Sequence, residues 1–247
     1  MPYFIRYKTH IYPAVLKVTV EEVKGKIPIL VGTGTINPED VKIQTIQAMD
    51  LGADAAMVVT PYYVKPPQRG LVKFFNTIAD LGMPIVLYNV PGRTACDLVP
   101  ETIAICAQHE NIIGVKEATG DLDRVSKIRS LCGDDLLLFS GDDSTETEFV
   151  LLGGDGCISV TANVAPSAMH EMITSALNGN ADVARTQNEK LKLLHKDLFI
   201  EPSPMPVKWA LQRLGLINPD FCRLPLDVLD EKYYPDIENA LSAAELI

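Results

Sequence analysis

Six short apolar runs recur along the chain, and polar side chains follow nearly every one. They are IPILVGTG (27–34), AAMVVTPYY (55–63), PIVLYNVP (84–91), IIGVKEAT (112–119), LLLFSGDD (136–143) and GCISVTAN (156–163). Their starts lie roughly 20–30 residues apart, the length of one strand–helix unit. Amphipathic, helix-like segments fill the gaps. Pro38-Glu39-Asp40 reads as a helix start, with proline in the first turn and acids at the positive end of the helix dipole; Pro100-Glu101 repeats it. Runs buried on both faces that alternate with helices predict a parallel sheet with crossover helices.

Two architectures share that pattern, a doubly wound open sheet and a (β/α)8 barrel. An open sheet favours a G-x-G-x-x-G or P-loop turn near its first strand, and Gly32-Thr33-Gly34 lacks the third glycine. Thr33, Tyr63, Tyr88, Lys116, Asp142 and Thr161 all fall at or just past the carboxyl ends of the runs. Barrel enzymes build their sites on that face, which favours an α/β fold of the TIM-barrel type. Six strands are recognisable where a closed barrel has eight, so an incomplete barrel is expected. Residues 12–24 read as a helix ahead of the first strand, and past residue 165 the chain turns helical over 166–178, 181–198, 204–214 and 235–246. The expected organisation is a barrel over residues 1–165, then the last barrel helix and a C-terminal helical extension over 166–247.

Charge and composition narrow the function. A net charge of −10 over 247 residues argues against nucleic acid or an anionic membrane surface as a partner, since both need a basic face. No apolar run approaches the roughly 20 residues of a spanning helix. The amino-terminal MPYFIRYKTHIYP lacks the apolar core of a signal peptide. Cys96, Cys106, Cys132, Cys157 and Cys222 form no CxxC pair and read as reduced thiols of a cytoplasmic protein. His10, His109, His170 and His195 are scattered, so no protein-held metal is expected.

The strand-end residues suggest chemistry. An ammonium such as that of Lys116, set among apolar neighbours, pays a desolvation cost that favours the neutral amine. A neutral amine attacks a ketone and forms a Schiff base, an electron sink. The alternative is a lysine snorkelling from the strand end and pairing with Glu117. Tyr88 offers a phenol to shuttle protons for carbinolamine formation, or else a core ring with a satisfied hydroxyl. Arg93, beyond a Pro-Gly turn, suits bidentate recognition of a carboxylate, or a surface ion pair. Tyr62 and Tyr63, bracketed by prolines, serve as packing, a site wall or a reach to a neighbouring subunit. Gly141-Asp142-Asp143 lacks a third metal ligand, and its aspartates read as a helix N-cap. Ser140 has no nucleophile elbow, which argues against a hydrolase triad.

Taken together, YNVPGRT, GVKEATGDL, SGDD, GCISVTANV and EPSPMPVKWA resemble the dihydrodipicolinate synthase family, a class I aldolase-like group that also contains the N-acetylneuraminate lyases. The resemblance runs from about residue 26 to the C-terminus, and residues 1–12 lie outside it. It implies that Lys116 forms an imine with pyruvate and that Tyr88 relays protons to and from it. It implies that Arg93 holds the carboxylate of aspartate semialdehyde, and an arginine there separates the synthases from the sialic acid lyases. Tyr63 is implied to cross a dimer interface into the partner's site. The backbone of Ile158 is implied to lie near the pyruvate carboxylate, with Gly141 bordering the same pocket. The implied reaction condenses pyruvate with L-aspartate 4-semialdehyde to 4-hydroxy-tetrahydrodipicolinate, in lysine and diaminopimelate biosynthesis. It needs no cofactor, because the protonated imine is the electron sink. The implied assembly is a homotetramer, a dimer of dimers.

The sequence also departs from the family. Members carry roughly 45 further N-terminal residues holding the first two of the barrel's eight strands. Those residues include a GTTGE-type turn whose threonine joins Tyr88 to the interface tyrosine. No such turn is found here, and a truncated or alternatively started reading frame is expected. In lysine-inhibited members an asparagine and a glutamate follow the GTG turn. Ile36 and Asp40 stand at those places, which points away from strong lysine inhibition. Two other functions therefore stand beside the synthase. One is a non-catalytic remnant or assembly partner of that enzyme. The other is a lyase for N-acetylneuraminate or another 2-keto acid, against which Arg93 argues.

Overall fold

The computed structural model describes residues 11–247. Helix α1 (Ile11–Val23) stands where a helix is expected ahead of the first strand. Strands and helices then alternate through β1 (Leu30–Gly32), α2 (Pro38–Asp50), β2 (Ala55–Val59), α3 (Gln68–Ala79) and β3 (Ile85–Asn89). A single helical turn, α4 (Pro91–Thr94), precedes α5 (Pro100–Cys106), β4 (Ile112–Glu117), α6 (Asp123–Cys132), β5 (Leu137–Ser140), α7 (Glu146–Leu151) and β6 (Gly156–Cys157). Four helices follow: α8 (Pro166–Leu177), α9 (Ala181–Asp197), α10 (Met205–Arg213) and α11 (Tyr234–Ala243). The strands lie in chain order, β1 to β6. The pairings β1–β2, β2–β3 and β3–β4 are parallel. Each of the six apolar runs supplies one strand.

Local chemistry accounts for these elements. Asn37 caps α2, its side-chain oxygen accepting from Glu39 N at 3.1 Å, with Pro38 in the first turn and Glu39 and Asp40 at the positive dipole end. Helix α3 buries Leu71, Phe75, Ile78 and Ala79 along one stripe, the spacing of a helix packed on a sheet. The middle of β2 and most of β3 and β4 are buried, as in a sheet covered on both faces. Gly114 of β4 is required by a close approach. A Cβ there would lie 2.8 Å from Leu137 O and 3.0 Å from Leu137 Cβ in β5.

The described residues form two compact units, one ending at Phe139 and the other running from Ser140 to Ile247. The first carries β1 to β4 and helices α1 to α6. In the second, Met172, Leu191, Leu194, Trp209, Ile237 and Leu241 form a helical core, and Trp209 stacks on Tyr234 with ring centroids 4.7 Å apart. Among the described residues no helix is long and apolar enough to cross a membrane.

Candidate active site

Successive residues of a strand face opposite sides of the sheet. In the β3–β4 pair, Tyr88 stands beside Lys116 and Asn89 beside Glu117. Tyr88 and Lys116 therefore share one face, and Asn89 and Glu117 the other. Lys116 is only 5% exposed, and its Nζ lies 4.4 Å from the centroid of the Tyr88 ring. The negative face of that ring offsets part of the cost of burying an amine there. Burial pushes the Tyr88 phenol above its usual range, while the charge of Arg93 pulls it the other way. The phenol is thus protonated at neutral pH.

Arg93 sits in the turn that follows β3. Arg93 N and Thr94 N donate to Val90 O at 2.9 and 3.1 Å, and Ala95 closes the turn in a left-handed conformation, φ 55°. The Arg93 side chain is exposed. Tyr63 belongs to the loop after β2 and is tied to this turn by Tyr63 N donating to Thr94 O at 3.3 Å. Its side chain is 87% exposed, and its φ is +72°. Tyr62 turns to the β1 loop, its hydroxyl 3.2 Å from Thr35 Oγ1. Thr33 is wholly buried, with its hydroxyl 2.9 Å from that of Thr45 in α2.

The opposite face holds a network that the sequence does not announce. Asn89 Nδ2 donates to Glu117 Oε1 and Oε2 at 3.2 and 3.1 Å and to Asp97 Oδ1 at 2.9 Å. Asn89 Oδ1 accepts from Leu98 N at 2.9 Å. Arg124 of α6 donates from Nε to Glu117 Oε2 at 3.0 Å, from Nη1 to Asp97 Oδ2 at 3.2 Å and from Nη2 to Leu98 O at 2.6 Å. Thr119 N donates to Glu117 Oε1 at 3.0 Å. Burial pushes the Glu117 carboxyl up from its usual range, against the pull of Arg124, Asn89 and Thr119. Glu117, the partner in the snorkelling alternative, thus gives its carboxylate to Arg124 on the far face.

Gly141 and Ile158 lie in the second unit. Gly141 follows Ser140, and Ser140 O accepts from Ile158 N at 2.9 Å. The aspartates beside Gly141 do not cap α7, contrary to expectation: Thr145 holds the cap position without a side-chain capping bond, and its hydroxyl donates to Asp142 Oδ2 at 2.7 Å. Asp143 instead accepts from Val160 N with both oxygens at 3.1 Å, from Thr161 N at 2.7 Å and from Thr161 Oγ1 at 2.9 Å. Those bonds draw the backbone out of the ladder. Strand β6 therefore stops at Cys157, and Thr161–Asn163 form a 3-10 turn where an extended run is expected. The Thr161 hydroxyl also lies 2.9 Å from His195 Nδ1. Burial lowers the His195 pKa, opposed by Asp143 and Asp142.

A parallel α/β sheet that sets a buried amine on a phenol ring, with an arginine close enough to act on that phenol, is equipped for lysine–carbonyl chemistry on an anionic substrate. The fold is of the TIM-barrel type, as its structural neighbours are. A model of the dihydrodipicolinate synthetase family matches residues 8–244, and the chain belongs to that family. The match starts ahead of residue 26, where the motifs begin the resemblance, and takes in α1. The 4-hydroxy-tetrahydrodipicolinate synthase of Alcanivorax borkumensis is 48% identical over 237 residues, covering 96% of this chain and 80% of that relative. The chloride-inhibited dihydrodipicolinate synthase of Acinetobacter baumannii, solved with pyruvate, is similar with a TM-score of 0.95 at 43% identity, covering 98% of this chain and 83% of that one. The Thermotoga maritima dihydrodipicolinate synthase gives a TM-score of 0.94 at 40% identity, with 97% and 83% covered.

Proposed function

We propose that this chain condenses pyruvate with L-aspartate 4-semialdehyde to 4-hydroxy-tetrahydrodipicolinate, a lyase-class step in lysine and diaminopimelate biosynthesis. The observation that carries the reading is the Lys116 amine over the Tyr88 ring at 4.4 Å, in a chain 48% identical to a synthase of that name. The neutral amine of Lys116 attacks the ketone carbon of pyruvate. Tyr88 protonates the departing hydroxyl, which leaves as water, and regains a proton from the carbinolamine nitrogen, so an imine forms. Loss of a methyl proton gives an enamine, whose carbon attacks the aldehyde of the semialdehyde. Arg93 holds the semialdehyde carboxylate. The substrate amine then displaces Lys116 and closes the ring.

Tyr63 serves the site of a neighbouring copy in a homotetramer. Its left-handed backbone costs a non-glycine residue on the order of 1 kcal/mol or more. A ring that must stand clear of its own unit accounts for that cost. The enzyme works in the cytoplasm, where free thiols stay reduced. The test is turnover: the purified chain, given pyruvate and aspartate semialdehyde, is expected to make the condensed product, read by mass spectrometry. No product, or cleavage of N-acetylneuraminate in its place, would overturn the reading.

A further inference from the structure

We infer that Arg124 is a positioning residue for this reaction. From the back of the sheet it fixes the segment that carries Arg93 against the strand ends that carry Tyr88 and Lys116. The inference rests on the roles given above to Lys116, Tyr88 and Arg93.

Arg93 is exposed, so its place is set by the path of its backbone. The turn 91–94 is held at its start by Val90, which continues β3. Its far end is held at Leu98, where both backbone polar groups are taken: the N–H by Asn89 and the carbonyl by Arg124. Asn89 and Glu117 directly follow Tyr88 and Lys116 in the chain, and Arg124 binds Glu117 with the same guanidinium that binds Asp97 and Leu98 O. One planar cation thus joins β4 to both ends of the Asp97-Leu98 step, and Asn89 joins β3 to the same step. A lysine keeps the charge and loses the fork, so it cannot span the three acceptors. The Tyr88–Lys116 register belongs to the ladder and does not depend on Arg124. Loss of the fork should therefore loosen Arg93 while leaving the amine and phenol in place. Asn89 still holds Leu98 N without the fork, but a binding group that loses part of its anchorage is less pre-organised, and the deficit falls on the substrate it binds.

The experiment compares the full chain with its Arg124→Lys variant in three readings. The KM for aspartate semialdehyde is expected to rise at least about tenfold, the size of one charge-assisted contact. The rate of borohydride-trapped pyruvate adduct on Lys116 should stay within about threefold, since the Tyr88–Lys116 register belongs to the ladder. Amide exchange over residues 95–99 should quicken while that of β3 and β4 stays put. An unchanged KM with unchanged exchange overturns the inference, as does an equal loss in both catalytic steps. Should Arg124→Lys lose its cooperative melt, Asp97→Asn removes one contact at a half-exposed site and carries the same test. If the unsubstituted chain traps no pyruvate on Lys116, the proposed reaction falls by itself. Exchange over 95–99 then still decides whether Arg124 anchors the segment.

Discussion

Replacing Tyr88 by phenylalanine removes one oxygen and leaves the ring that lies 4.4 Å from Lys116 Nζ. The contact between that ring and the Lys116 amine is therefore retained. The hydroxyl of a partly buried side chain contributes about 1 kcal/mol or less to stability. The kinetic loss is much larger. Burial keeps the phenol protonated at neutral pH, so in the unsubstituted chain it is ready to protonate the departing hydroxyl. Removing a general acid–base group costs roughly 100- to 10,000-fold in rate, or about 3–5 kcal/mol of barrier. Tyr88→Phe should therefore show a near-normal melting temperature with a collapse in imine formation. The assay is rapid mixing with pyruvate and timed borohydride quenching, read as adduct on Lys116. An adduct formed at the unsubstituted rate would refute the proton-relay role. So would a loss that merely tracks the unfolded fraction.

Arg93→Ala should raise the KM for aspartate semialdehyde about 10- to 100-fold and leave pyruvate trapping intact, as steady-state kinetics beside borohydride trapping would show. Gly114→Ala forces a Cβ to 2.8 Å from Leu137 O and should cost about 1–3 kcal/mol, lowering the melting temperature by about 2–12 °C; an unchanged melt would contradict the close approach. Asp143→Ala orphans the amides of Val160 and Thr161 and should cost about 2–6 kcal/mol in urea unfolding. His195 has a pKa held below its ordinary 6.5, so the unfolded chain binds a proton that the folded chain refuses. Its contribution is complete above pH 6.5 and is lost as pH falls from there toward the depressed folded value. Urea midpoints measured from pH 7 to 5 should therefore fall, and should fall less in His195→Gln.

The strands were legible because burial on both faces leaves a continuous apolar run, and the start of α2 because Asn37, Pro38, Glu39 and Asp40 each act within one turn. What failed was ordered by distant partners. Residues 158–163 have the composition of a strand, but Asp143, 17 and 18 residues earlier in the chain than Val160 and Thr161, takes their amides. The same distance misled the reading of Asp143 as a cap. In the candidate site, Lys116 and Tyr88 could be named from strand-end position and motif. Their juxtaposition depends on the β3–β4 register, which no local pattern encodes. The network behind them was less visible still. Arg124 meets Glu117 across seven residues and Asp97 across 27, so only the fold brings the three together. The nearest signal was an acid immediately after the lysine, inside GVKEATGDL, and on a strand that acid must face away from the amine.

The most direct measurement reduces the purified chain with borohydride in the presence of pyruvate, then digests it and maps the modified lysine by mass spectrometry. One reduced pyruvate is predicted on the peptide containing Lys116, lost when Lys116 is replaced by arginine. An unmodified Lys116, or adduct spread evenly over surface lysines, would contradict imine chemistry at this site.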